Sequence, residues 1–111
     1  MTFAADQIDE LRLLCESIDT ATEGGVAYLL LRGLRRSGGD DPAVLDVLLC
    51  PTPRDGYPWR LFFTERLATR TPQNWNGSIR ILERDWHAFS RKSPTGLRLA
   101  QMVAMQLMWL Q

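Results

Sequence analysis

The sequence predicts an α+β domain: an N-terminal helix, an antiparallel four-stranded meander sheet, and a C-terminal helix packed on that sheet. Three patterns lead to this class. Residues 3 to about 20 repeat apolar side chains at helical spacing, the middle of the chain holds short apolar runs separated by turn residues, and residues 97–110 are apolar almost all round. With 111 residues, 45% of them hydrophobic and 23% charged, the chain suits one globular domain, 1–111.

The first helix rests on Ala4, Ile8, Leu11, Leu14, Cys15 and Ile18, which recur at three- and four-residue steps with acids opposite them. Thr2 caps its start in this reading, and Gly24-Gly25 stops it. Cys15 falls on the apolar stripe and reads as a small core residue rather than a nucleophile. Residues 26–34 suit a strand buried on both faces or a helix continuing past the glycines. The strand reading prevails because Ser37-Gly38-Gly39-Asp40-Asp41-Pro42 offers a reversal before a second run of matching length, 43–50.

A third run, 59–64, follows Pro51-Thr52-Pro53-Arg54-Asp55-Gly56. Asp55-Gly56 is turn chemistry, and Tyr57-Pro58 restricts how the chain enters the strand. Residues 65–73, with Arg66, Arg70 and Pro72, are polar and aperiodic, the pattern of a surface loop. Asn76-Gly77 is a second turn signal before the fourth strand, 79–82, where Ile79 and Ile81 share one face and Arg80 takes the solvent side. Residues 84–90 read as a short helical turn that lays Trp86 and Phe89 on the sheet at an i, i+3 spacing. Ser93-Pro94-Thr95-Gly96 then restarts the chain as a helix over 97–110, interrupted by Arg98, Gln101 and Gln106. Such a helix is buried over most of its surface and too short to span a bilayer. Met102, Met105 and Met108 read as core filler, and the surplus apolar surface makes a homodimer through 97–110 plausible.

Composition excludes several classes. A net charge of zero argues against wholesale attraction to nucleic acid or an anionic membrane. The charge is unevenly placed, with Asp6, Asp9, Glu10, Glu16, Asp19 and Glu23 near the start and most arginines after residue 54, which reads as two solvated faces that complement each other. Lys92 is the one lysine among 13 basic residues, and arginine suits bidentate contacts to carboxylates. Cys15 and Cys50, with no leader at the start, fit reduced thiols in a cytoplasm. A single histidine and two distant cysteines make no zinc site, and neither Gly24-Gly25 nor Gly38-Gly39 completes a phosphate loop, so no cofactor or metal is expected. His87 stands at i+2 from Asp85, a spacing that does not pair them on a helix or turn, and reads as a surface or capping histidine.

The order of motifs resembles the ubiquitin-conjugating enzyme superfamily, including its cysteine-less variants and RWD domains. Tyr57-Pro58 is similar to that family's YP turn, and Phe62-Phe63-Thr64 to its F-x-T strand ending. Asn74 falls at the asparagine of its HPN tripeptide, Gly77, Ile79 and Leu82 at the segment around its catalytic cysteine, and Trp86 at its following tryptophan. Roughly the last two-thirds of the chain lies on this pattern. Arg80 stands where the family keeps its cysteine, Pro72-Gln73 replace the histidine-bearing start of HPN, and the spacings around Arg80 are tighter. A guanidinium cannot form a thioester, so the resemblance implies a compact bacterial variant that binds without chemistry. Its partner would be a ubiquitin-like protein, an activating enzyme or another protein subunit, held by Tyr57, Asn74, Trp75, Arg80 and Trp86. Two alternatives stand beside this: an active conjugating enzyme using Cys50, with Arg54 the nearby group able to lower its pKa, and an arginine-rich RNA-contacting domain stacking bases on Trp59 and Trp75.

Overall fold

A short helix, α1 (Ala5–Arg12), leads into a four-stranded antiparallel meander of β1 (Ser17–Glu23), β2 (Val26–Arg35), β3 (Val44–Cys50) and β4 (Arg60–Phe63), in that spatial order. Two small pairs follow, β5 (Asn74–Trp75) with β8 (Phe89–Ser90) and β6 (Ile79–Ile81) with β7 (Arg84–Trp86), and α2 (Leu99–Trp109) closes the chain. The computed structural model describes residues 3–36, 43–69 and 72–110. The α+β class, the two helices and the antiparallel meander are those the sequence predicts.

The sheet's first strand is not the expected one. The helix predicted to run to about residue 20 ends at Arg12, and 17–23 pairs with β2 over seven residues, from Ser17 opposite Arg32 to Glu23 opposite Val26. Thr20, Thr22 and Asp19 are poor helix formers. Gly24-Gly25, at φ 58° and 78°, makes a tight hairpin turn instead of a helix stop. The expected fourth strand, 79–82, lies in the separate β6–β7 hairpin. The predicted cap at Thr2, the reversal at 37–42 and Arg70 lie outside the described residues.

Alternation along the strands builds two apolar layers. Leu29, Leu31, Val47, Leu49, Leu61 and Phe63 face the helices, meeting Leu11, Cys15, Leu99, Met102 and Val103. Tyr28, Leu48, Cys50 and Phe62 face the other way and are covered by Ile81, Trp86 and Ala88. Cys15 and Cys50 are both free and buried in different layers. The segment read as a helical turn, 84–90, is extended. Trp86 and Ala88 therefore join one layer and Phe89 the other, while His87 bridges β4 through paired backbone bonds with Phe63 of 2.6 and 2.7 Å. On α2 the methionines grade outward, Met102 buried, Met105 intermediate and Met108 exposed.

The β6–β7 hairpin turns at Leu82 and Glu83, both at positive φ (53° and 62°), rather than at Asn76-Gly77. The Leu82 N–H donates to Glu23 Oε2 at 2.9 Å, tying the tip to the end of β1. Left-handed backbone costs a side-chain-bearing residue about 1–2 kcal/mol, part of which glycine returns as unfolded-state entropy. Glu83→Gly is therefore expected to stabilise the protein by about 0.5–1 kcal/mol, read as a raised thermal midpoint. A lowered midpoint would mean that Glu83 makes a contact worth more than its strain.

The acidic start and basic end of the chain meet where α1 crosses α2. Arg98 donates to Asp6 Oδ2 at 2.7 Å and to both Glu10 carboxylate oxygens at 3.0 and 3.1 Å. Gln7 accepts from the Leu99 N–H at 2.9 Å and Gln101 from the Arg98 N–H at 2.8 Å, capping α2. The hydrogen bond from Arg98 holds the Asp6 carboxyl below its ordinary value of 3.8. Its stabilisation is complete above that value and fades as pH falls through the lower value in the fold. Urea unfolding at a series of acid pH values should therefore show Asp6→Asn losing less stability on acidification than the parent.

Candidate functional site

The polar groups of the sequence's middle gather around Arg60. Between β3 and β4, Arg54 and Tyr57 close a tight turn by exchanging two backbone hydrogen bonds of 2.9 Å, and Asp55 and Gly56 occupy its positive-φ positions (54° and 84°). Asp-Gly is suited to that turn, which needs positive φ at both central residues. β4 starts three residues later, and its alternation sends Leu61 and Phe63 toward the helices and Arg60 with Phe62 toward the other layer. An arginine thus starts an otherwise apolar strand and is 4% exposed.

Several groups hold the Arg60 guanidinium. It lies 4.2 Å from the centroid of the Tyr57 ring and 5.6 Å from that of Phe62, and Nη2 donates to Asn76 Oδ1. Nη1 stands 3.6 Å from Asp55 Oδ2, an ion pair longer than a hydrogen bond, and Nε is buried without an acceptor. Burial pulls the Arg60 pKa down, against the Asp55 carboxylate and the Tyr57 phenol, which raise it. Tyr57 Oη donates to Ser90 Oγ at 2.7 Å, and Asn76 Nδ2 donates to the same oxygen at 2.9 Å. With both lone pairs of Ser90 Oγ in use, its own proton is left to donate.

Arg54 stands on the same face. Nη1 donates to Tyr28 Oη at 2.7 Å, while Nε is 3.3 Å from Asp55 Oδ2, close enough for ion pairing but at an angle that leaves Nε without a hydrogen bond. Burial raises the Tyr28 pKa against the opposing charge of Arg54, so this hydroxyl stays protonated. Arg66 donates to the Asn76 carbonyl at 3.1 Å, fixing the loop that carries the amide. Among the described residues, two guanidinium groups share the Asp55 carboxylate, itself half exposed.

The predicted site residues divide between this cluster and its surroundings. Tyr57 belongs to it. Asn74 pairs through its backbone with Ser90, leaving its side chain exposed, and Trp75 packs edge-on against Phe63 and Phe89 at 5.8 and 5.2 Å. Arg80 points outward on the β6–β7 hairpin and pairs with Asp85 at 3.3 Å, two exposed groups whose attraction water largely screens. Trp86 is 2% exposed in the core, its Nε1 donating to the Ile81 carbonyl at 3.1 Å. Arg54, Asp55, Arg60, Asn76 and Ser90 also belong to the cluster, and no site motif in the sequence marks them. The available signal was Arg60-Leu61-Phe62, which at period two puts an arginine beside a phenylalanine on a buried face.

Cys50 lies beneath this cluster, opposite Arg60 in the register and 0% exposed, its thiol 3.4 Å from the Thr52 carbonyl. No three His, Cys, Asp or Glu side chains gather as metal ligands among the described residues, and no helix there is long and apolar enough to cross a membrane. The arrangement offers donors for an anion and no accessible thiol. Comparison with known proteins finds no match to any family, curated protein or solved structure.

Proposed function

We propose that the chain is a non-catalytic protein-binding module related to the ubiquitin-conjugating enzymes, acting as an adaptor or partner subunit in a ubiquitin-like or related bacterial pathway. The observation that carries this reading is the burial of both thiols, Cys15 at 4% and Cys50 at 0% exposure, in opposite core layers. A sulfur that forms a thioester must reach an activated carbonyl carbon presented by another protein, and neither can do so without opening a core. Arg80, at the position the resemblance gives to the catalytic cysteine, is exposed and cannot substitute for it chemically. The element order adds support: helix, four-stranded meander, Tyr57-Pro58 between its third and fourth strands, the Trp86 hairpin, then a helix. Reduced thiols suit a cytoplasmic location.

Mixing the protein with the activating enzyme and ubiquitin-like protein of its own source tests the proposal. Size-exclusion chromatography is expected to show a stable complex, weakened by Arg80→Glu with folding retained. A non-reducing gel is expected to show no thiol-sensitive adduct. An adduct abolished by Cys50→Ala would overturn the non-catalytic reading, and absence of a complex with either protein would overturn the adaptor reading.

A further inference from the structure

We infer that the cluster around Arg54 and Arg60 is a receptor for a peptide carboxylate, with Asp55 acting as a built-in stand-in that the ligand displaces. The inference rests on the protein-binding reading above and gives that binding its chemistry.

A buried guanidinium is costly unless it is paired and hydrogen-bonded, and buried polar groups in folded proteins nearly always have partners. Arg60 is 4% exposed and has one hydrogen-bond acceptor, Asn76 Oδ1, besides ring contacts with Tyr57 and Phe62. Its Nε and that of Arg54 are both buried without an acceptor, in the same cluster. Two orphaned donors on two guanidinium groups that share one carboxylate mean that the site has more donor capacity than the chain itself fills.

The stand-in is placed to leave. Asp55 sits at the tip of a two-residue turn, is half exposed, and meets the arginines at 3.3 and 3.6 Å without a hydrogen bond to either. An incoming carboxylate presents two oxygens to donors that Asp55 reaches with one, and guanidinium groups favour such forked contacts. Ser90 Oγ accepts from both Tyr57 Oη and Asn76 Nδ2, which leaves its own proton to donate. A carboxylate is the occupant favoured because the site already accommodates one between its two guanidinium groups.

Arginine side-chain NMR tests this directly, since the Arg54 and Arg60 Nε–H resonances report an acceptor arriving. The probes are pentaglycine with a free C-terminal carboxylate, pentaglycine amide, an amidated peptide carrying glutamates, and inorganic phosphate. The free acid or the glutamate peptide is expected to shift both resonances while pentaglycine amide does not, and the stronger of the two identifies a chain-terminal or a side-chain carboxylate. Asp55→Asn preserves the turn, because Asn-Gly suits it equally, and removes the competitor. It should tighten carboxylate binding roughly threefold or more, the scale of a half-exposed ion pair. Arg60→Met should abolish binding, and Arg54→Met serves in its place if the first variant does not fold. Unmoved resonances with every probe in both the parent and Asp55→Asn, binding that survives the arginine variants, or phosphate binding more tightly than either carboxylate would overturn the inference. A complex with the activating enzyme that persists without carboxylate binding would sink this site alone, whereas carboxylate binding without a complex would sink only the adaptor reading.

Discussion

Replacing Trp86 with alanine is expected to destabilise the protein by roughly 3–5 kcal/mol, the usual cost of emptying a buried aromatic position. Trp86 is 2% exposed and fills the layer between the β6–β7 hairpin and the sheet, alongside Tyr28, Leu48, Phe62 and Ile81. Its Nε1 also closes the hairpin onto the Ile81 carbonyl, and Arg84 lies 5.0 Å from its ring centroid. Alanine would remove the packing, the hydrogen bond and the reason for three-residue strands to stay docked. Because domains of this size hold only about 5–15 kcal/mol in total, the variant should be marginal in urea. Trp86→Phe should cost less, about 1–2 kcal/mol, chiefly for the carbonyl left without its donor. A partner-contacting tryptophan would show the opposite pattern, with binding lost and stability kept. Urea midpoints for the two variants decide between these roles, and a loss below about 2 kcal/mol for alanine would mean that the hairpin is not held by this side chain.

Gly33→Ala is expected to cost about 2–4 kcal/mol, an unusual penalty for adding one methyl group. Two independent causes act together. Gly33 has φ +67°, and the register between β2 and β3 shifts across it, from Leu31 opposite Val47 to Leu34 opposite Leu45. This is a β-bulge, and its left-handed residue accounts for about 1–2 kcal/mol of the expected loss. A methyl at that position would also stand 2.7 Å from Glu16 Cβ and 2.8 Å from Glu16 Oε2. The bulge is further fixed by the Gly33 N–H, which donates to Asp46 Oδ1 at 3.0 Å. A double-mutant cycle with Glu16→Gly separates the causes, since removing the Glu16 Cβ relieves the contact and leaves the backbone strain. The double variant should recover part of the stability lost by Gly33→Ala. Strictly additive losses would show that the contact contributes nothing.

The fold was readable where apolar runs and turn chemistry agreed. Residues 26–34, 43–50 and 59–64 read as strands from run length and their flanking glycines and prolines, and Asp55-Gly56 as a turn. All four readings correspond to elements of the structure, with ends shifted by a residue or two. Elsewhere one apolar pattern fits two structures. Ile8, Leu11, Cys15 and Ile18 satisfy helical spacing, yet Ile18 belongs to β1, because backbone pairing with the long apolar β2 outweighs weak helix propensity. Trp86 and Phe89 are three apart, which suits a helix, but extended backbone sends them to opposite layers. The hairpin turn at Leu82-Glu83 has no turn-forming residue to announce it and is imposed by docking, through the Glu23 contact at one end and Trp86 at the other.

The site followed the same division. Tyr57 could be singled out from its proline and its place in a motif, whereas Asn76 and Ser90 are ordinary polar residues until the chain brings them to Arg60. The amino-acid order alone determined the α+β class, the antiparallel middle and the C-terminal helix, because those follow from periodicity and local turn preferences acting over a few residues. Tertiary structure decided which segment completes the sheet, that Trp86 is interior while Arg80 is not, and that two arginines share one carboxylate beside Tyr57. The first two outcomes depend on contacts between residues far apart in the chain, and the third, though its charges are neighbours in sequence, is held in place by Tyr28, Asn76 and Ser90, which reach it only after the sheet has formed and water has been excluded from its two faces.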